Sequence, residues 1–122
     1  MSMAQRALPP PDIDAAEFFT RWIPESVAGD VSRRTRLDGT DATLEFELRG
    51  EGGGWFSIEI EGGRVRGREG PSPRADLHLR LDVETWRALN SGALSAPEAF
   101  LRRRILLRGN LALALKLHVI MG

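Results

Sequence analysis

The residues able to do chemistry in this 122-residue chain are two histidines, several carboxylate pairs, two glycine clusters and one arginine run; there is no cysteine. A catalytic histidine needs a nucleophile or an orienting carboxylate, and a zinc site needs three or four ligands at defined spacing. His78 falls at an outward position of an alternating segment, and His118 ends an apolar run with neither nucleophile nor ligand beside it. The pairs Glu45/Glu47 and Glu59/Glu61 are two residues apart in strand-like segments, which points both members to water. Gly50, Gly52, Gly53, Gly54, Gly62 and Gly63 lack a following Lys-Ser/Thr or a helix, so they read as turns rather than phosphate loops. Nothing here predicts an enzyme, a metal or a cofactor.

The arginine run is the stronger signal. The chain has sixteen Arg and one Lys, and Arg102-Arg103-Arg104 with Arg108 gathers charge beside a helix-to-strand turn. Arginine's planar fork suits phosphate, so the cluster is a candidate for a phospholipid or acyl-CoA head group, or for transient contact with an anionic membrane; a solvated turn in an Arg-rich chain is the plainer explanation. Seventeen basic and seventeen acidic residues balance and are scattered, which predicts no nucleic-acid partner because no basic face forms.

The elements that must position these groups follow from periodicity. One domain is expected over 12–122, preceded by a disordered lead at 1–11 that contains Pro9-Pro10-Pro11 and no secretory apolar stretch. The longest apolar-rich run, 111–121, is interrupted by Lys116 and His118 and is far short of the roughly 20 residues that span a bilayer. The ending Met121-Gly122 is not a Ser-Lys-Leu address. A soluble, cytoplasmic protein is the expectation. Asp12 or Asp14 caps a helix with Ala16, Phe19 and Ile23 inward and Phe18 and Trp22 flanking, with a break near Ile23 because Pro24 follows, and a stop at Gly29. Period two then takes over in 42–48, 55–60 and, weakly, 64–68, an antiparallel meander on tight glycine turns. A fourth strand covers 76–81. Asp82 caps a helix carrying Val83, Trp86 and Leu89, and Ser95 caps a short one with Pro97 in its first turn and Phe100 inward. A fifth strand over 104–108 leads through Gly109-Asn110 into a last helix. The fold class is therefore α+β, a five-stranded sheet with one face covered by helices.

That last helix, Leu111-Ala112-Leu113-Ala114-Leu115-Lys116-Leu117, is apolar on almost every side, so it must be enclosed. At 100° per residue Lys116 and His118 point nearly opposite ways. If Lys116 faces water, His118 looks inward; if His118 is outside, Lys116 must snorkel.

From Pro73 to Leu117 the ordered set Asp76, Leu77, Leu79, Trp86, Leu89, Gly92, Ala99-Phe100, Ile105, Gly109 and the closing Leu/Ala run resembles the sterol carrier protein type 2 family; the likeness continues more weakly back to Phe18. The resemblance implies helices lying over a five-stranded sheet and enclosing an apolar tunnel walled by the last helix. The implied lining is Phe19, Ile23, Phe46, Phe56, Ile58, Leu79, Trp86, Phe100, Leu111, Ala114, Leu115 and His118. Two departures stand out: family members usually carry Gly where this chain has Arg103, which bears on the turn, and Leu106 occupies a commonly polar, outward position.

The implied function is non-catalytic binding or transfer of fatty acyl, sterol-like, phospholipid or isoprenoid chains. Burial of ten methylenes at roughly 0.8 kcal/mol each supplies about 8 kcal/mol gross, consistent with micromolar affinity and little shape discrimination. Two alternatives stay open: an accessory or scaffold domain of a lipid or ubiquinone-biosynthesis complex, and a structural homodimer with a closed, ligand-free core.

Overall fold

Period-two alternation becomes a five-stranded mixed sheet. A computed structural model describes residues 8–121, the side chains of His118 and Met121 excepted. The strands β1 (Ala42–Arg49), β2 (Gly54–Glu61) and β3 (Arg64–Glu69) form the expected meander, with Phe46 opposite Phe56 and Ile58 opposite Gly67. β4 (Leu77–Asp82) lies parallel to β1 on its other side, and β5 (Leu106–Gly109) is antiparallel to β4, giving the order β3-β2-β1-β4-β5. The segment between β3 and β4 crosses the sheet on the face away from the helices. There the Ser57 hydroxyl donates to the Gly70 carbonyl and the Ser72 N–H donates to the Glu45 carboxylate. β5 starts two residues later than expected because Arg103 and Arg104 are used in the preceding turn.

The other face carries Leu44, Phe46, Leu48, Phe56, Ile58, Leu77, Leu79 and Leu81, all buried. The first helical segment covers it. Asp14, not Asp12, is the cap: its carboxylate accepts the Glu17 N–H at 2.7 Å and opens α1 (Ala15–Glu17). The break expected at Ile23 does not occur. Instead the chain widens into a π-turn, Phe18–Trp22, and continues as α2 (Ile23–Ala28). The Ile23 N–H reaches back five residues to the Phe18 carbonyl, so the chain absorbs the missing Pro24 N–H in a wide turn rather than a kink. The widening also rotates the buried face, so that Ala15 and Phe18 are buried while Ala16 is half-buried. The Phe19 ring stacks on Phe56 with centroids 4.9 Å apart, and Phe18 meets Trp86 edge-on at 5.3 Å.

Three further differences arise from tertiary contacts. Helix α3 (Val31–Leu37), capped by Asp30, was not signalled because its only apolar residues are Val31 and Leu37. Its Arg33 is buried, donating from Nε to the Val119 carbonyl at 2.7 Å and from Nη2 to the Ile120 carbonyl at 2.8 Å. Residues 8–11, expected within a disordered lead, are tied down: the Pro10 carbonyl accepts the Ile13 N–H and the Pro11 carbonyl accepts from Arg87. The last helix is not uniform. A 3₁₀ segment, Leu111–Lys116, capped by Asn110, precedes α6 (Leu117–Met121). At three residues per turn its side chains stack in three rows, and the row pattern of an α-helix no longer applies. Leu111 (57 %) and Leu115 (74 %) are exposed, against the expectation that this run be enclosed. Among the described residues, no helix is long and apolar enough to cross a membrane.

Candidate functional site

α4 (Val83–Ser91) and α5 (Ala96–Leu101) stand over the β1–β4 part of the sheet without filling the space beneath them. Asp82 starts α4 by accepting the Thr85 N–H at 2.7 Å, and Gly92, at φ 80°, ends it. The Thr85 backbone N–H holds the Asp82 carboxyl below the usual carboxylate range; the Thr85 hydroxyl and Arg104 act in the same direction, and burial opposes them. Ser95 caps α5. These caps fix two short helices whose separation leaves a cavity of about 370 Å³, within the size range of ligand sites.

The floor of the cavity is Phe46, Leu48, Leu79 and Leu81; Phe19, Trp86, Leu89 and Ile105 form its walls, and Leu117 closes one side. Leu8, Gly92, Ser95 and Pro97, all exposed, rim its mouth. No charged side chain borders it among the described residues.

Of the residues expected to line a tunnel, Phe19, Phe46, Leu79 and Trp86 come together here. Ile23, Phe56 and Ile58 are buried in the core beside it rather than bordering it. Phe100 is corrected from inward to 51 % exposed, because Ala99 takes the inward position of α5. Leu111 and Leu115 face outward on the 3₁₀ segment, Ala114 packs half-buried on the core without bordering the cavity, and the His118 side chain lies outside the described residues. Sequence reasoning missed Leu48, Leu81, Leu89, Asn90, Ile105 and Leu117 among the floor and walls. The first two share the inward face of their strands with Phe46 and Leu79, and Asn90 lies one turn beyond Trp86, so alternation and the i,i+4 rule were the available signals.

The opposite sheet face corrects a second expectation. Glu45 and His78 do not point into water: β1–β4 pairing sets them side by side, His78 Nδ1 lies 2.5 Å from Glu45 Oε1, and the crossing segment covers the carboxylate. Glu45 is buried, while Glu47 pairs with the exposed Arg80. Among the described residues no group of three or more metal-ligating side chains occurs.

The structure settles the geometry of the turn after α5 that carries Arg103. The Arg103 N–H bonds the Phe100 carbonyl and the Arg104 N–H bonds the Ala99 carbonyl, which places Arg103 at φ 60°, a left-handed position that glycine adopts without strain. Phe100 and Leu101 are exposed at this tip beside Arg102 and Arg103.

A mixed five-stranded sheet roofed on one face by helices is the architecture this chain shares with solved sterol carrier protein 2 domains. The sequence matches the model of the SCP-2 sterol transfer family over residues 24–122, and the chain belongs to that family. It is 37 % identical over 122 residues to hydroxysteroid dehydrogenase-like protein 2 of Rattus norvegicus, covering 98 % of this chain and 22 % of that protein. The chain thus spans about a fifth of the length of that relative. Among solved structures, sterol carrier protein domain 2 of Helicoverpa armigera superposes with a TM-score of 0.69 at 20 % identity, covering 95 % of this chain and 92 % of that one. Palmitated SCP2L2 from Aedes aegypti gives 0.61 at 20 % identity over 85 % of this chain and 96 % of that one.

Proposed function

We propose that the chain binds one hydrophobic molecule in the cavity beneath α4 and α5 and passes it between membranes or proteins, without catalysing a reaction on it. The observation that carries this reading is the cavity itself: about 370 Å³ walled by Leu, Ile, Phe and Trp, with no charge on its lining among the described residues. Apolar burial there drives uptake at roughly 0.8 kcal/mol per methylene, and such contacts separate acyl, sterol-like and isoprenoid chains only weakly. The palmitated Aedes aegypti relative supports a long acyl chain as one occupant. The tip of α5 is the surface that meets the donor membrane, with Phe100 and Leu101 entering the interface and Arg102, Arg103 and Arg104 above it.

Extraction of the native protein with organic solvent, followed by mass spectrometry, tests the reading directly. A stoichiometric lipid is expected; a protein that yields none and takes up no fluorescent lipid probe would be a closed structural domain, as in the homodimer alternative. Replacing Arg102 and Arg103 by Gln should slow transfer from anionic vesicles while leaving affinity for a soluble probe unchanged.

A second reading is favoured by one comparison: the chain matches 22 % of a dehydrogenase-like relative. In this reading the domain holds a lipid for a partner enzyme, as an accessory part of a lipid or ubiquinone-biosynthesis complex. Affinity capture from the native cell distinguishes them, since only the accessory reading requires a co-purifying enzyme.

A further inference from the structure

The sheet face away from the helices carries a row of four side chains beyond the edge of the crossing segment. Strand register places Leu106 of β5 beside Arg80 of β4, Arg80 beside Glu47 of β1, and Glu47 beside Trp55 of β2. Neighbouring strands lie about 4.8 Å apart, so the row runs roughly 14 Å across the sheet. Arg80 Nε and Glu47 Oε1 pair at 3.1 Å in its middle. Leu106 (52 %) and Trp55 (43 %) hold its two ends, and among the described residues they are the sheet's exposed large apolar side chains. Leu8 and Ile120, near the two ends of the described chain, lie on the other side of the sheet, at the cavity mouth and in the core.

From either end the row reads apolar, charged, charged, apolar, and the two charges are opposite. A two-fold axis lying in the face, along the strands and between β1 and β4, therefore carries the row onto its own complement. Leu106 of one copy meets Trp55 of the other and Arg80 meets Glu47, each contact made twice, as an isologous interface requires. The relief of the face agrees with its charge. The connection from β3 to β4 stands above β2 and β1, held by the Gly70 N–H on the Trp55 carbonyl and the Ser72 N–H on the Glu45 carboxylate. Toward β5 a hollow of about 250 Å³ extends over His78, Arg80 and Arg108. The same rotation lays the connection of each copy, with its exposed Pro71 and Pro73, over the hollow of the other, so that ridge and hollow interlock.

We propose that the chain forms a two-fold homodimer through this outer sheet face, anchored by Trp55 and Leu106 and registered by reciprocal Arg80–Glu47 pairs. A partner of a single charge sign would leave one member of the central pair facing its like, and a bilayer would press both ions against hydrocarbon; a second copy matches every position. Four strands by about six residues make a face of roughly 400 Å² per copy, small for a specific interface, so the dimer is weak and forms on the order of 10–100 μM. The lipid cavity opens on the opposite side of the sheet and stays accessible in the dimer.

Sedimentation velocity of the full chain from about 1 to 500 μM tests this, with a concentration-dependent rise from monomer to dimer expected. Leu106→Glu, at an exposed position, should weaken self-association by at least about tenfold. Glu47→Arg alone and Arg80→Glu alone each set like charges against one another across the axis, and each should stay monomeric. An equimolar mixture of these two variants restores opposite charges at both contacts and should recover the dimer, a rescue that loss of structure in either variant would not produce. Should one single variant fail to fold, the double variant Glu47→Arg/Arg80→Glu gives the same test in one chain and should dimerise as the wild type does. A wild-type chain that stays monomeric throughout, a dimer indifferent to Leu106→Glu, or a charge-swapped mixture or double variant that stays monomeric overturns the proposal.

Discussion

Ile105→Trp tests the position of the cavity with a magnitude that can be worked from the structure. Ile105 is buried at the entry to β5 and forms one wall of the cavity, so a larger side chain there has nowhere to expand except into the ligand's space. Tryptophan adds about six non-hydrogen atoms, and displacing as many ligand methylenes at roughly 0.8 kcal/mol each would remove about 5 kcal/mol gross. Sliding of the ligand toward the mouth and adjustment of the indole should recover about half of this, leaving about 2.5 kcal/mol, or roughly a seventyfold weaker Kd. Isothermal titration with a fluorescent fatty-acyl probe measures it, and thermal melting confirms that the variant is folded. Leu115→Trp is the matched control: the same side chain placed on a residue 74 % exposed should leave Kd within about twofold. Affinity within about threefold of wild type for Ile105→Trp, or equal damage from Leu115→Trp, would refute the assignment and return the binding site to the last helix.

Four other substitutions test the frame around the site. Arg33→Leu removes two charge-assisted hydrogen bonds to the Val119 and Ile120 carbonyls and should cost about 2–4 kcal/mol in urea denaturation; a loss under about 1 kcal/mol would mean that α6 does not depend on this anchor. Gly67→Ala is expected to destabilise by more than about 3 kcal/mol or to prevent folding, since a Cβ there would lie 1.8 Å from the Phe19 carbonyl oxygen. Gly29→Ala, whose Cβ would meet only the Glu25 carbonyl oxygen at 3.4 Å, should stay within about 1 kcal/mol of wild type in the same assay. Asp82→Ala should cost about 1 kcal/mol near neutral pH through loss of the α4 cap. Because the folded-state pKa of Asp82 is depressed, its contribution is present above the unfolded carboxylate value of about 3.9 and is lost as pH falls through the lower folded value. The gap between wild type and Asp82→Ala measured by urea titration should therefore narrow in acid, and a gap that widened would contradict the capping role.

The sequence by itself determined the elements whose signals are local. Alternation in 42–48 and 55–60 specified strands because a pleated backbone with one buried face repeats every two residues, and β1 and β2 lie where that pattern put them. Asp82, Ser95 and Gly92 marked helix boundaries through side-chain-to-backbone bonds spanning only a few residues. Arg103, in a position that family members fill with glycine, drew notice to this turn from sequence alone, but its left-handed geometry is known only from the structure. Phe19, Phe46, Leu79 and Trp86 were expected at the cavity and border it, but burial did not separate them from Ile23, Phe56 and Ile58, which are as buried and do not.

Only the tertiary structure decided the rest. Parallel pairing of β1 with β4 depends on a crossover of the sheet, and it turned Glu45 and His78 from presumed surface residues into a covered pair. The π-turn before Pro24, which no local pattern announces, brings the Phe19 carbonyl against Gly67. The closing Leu/Ala run was read as a wall because a helix apolar on all sides should be enclosed. Whether such a run forms an α-helix or a 3₁₀ segment, and which rows then face water, depends on what packs against it. Here α4, α5 and Ile105 take the position at the cavity, and Leu111 and Leu115 are left outside. Composition fixes that an apolar surface must be buried somewhere, but the place where packing stops short and leaves a hollow is a property of the assembled elements.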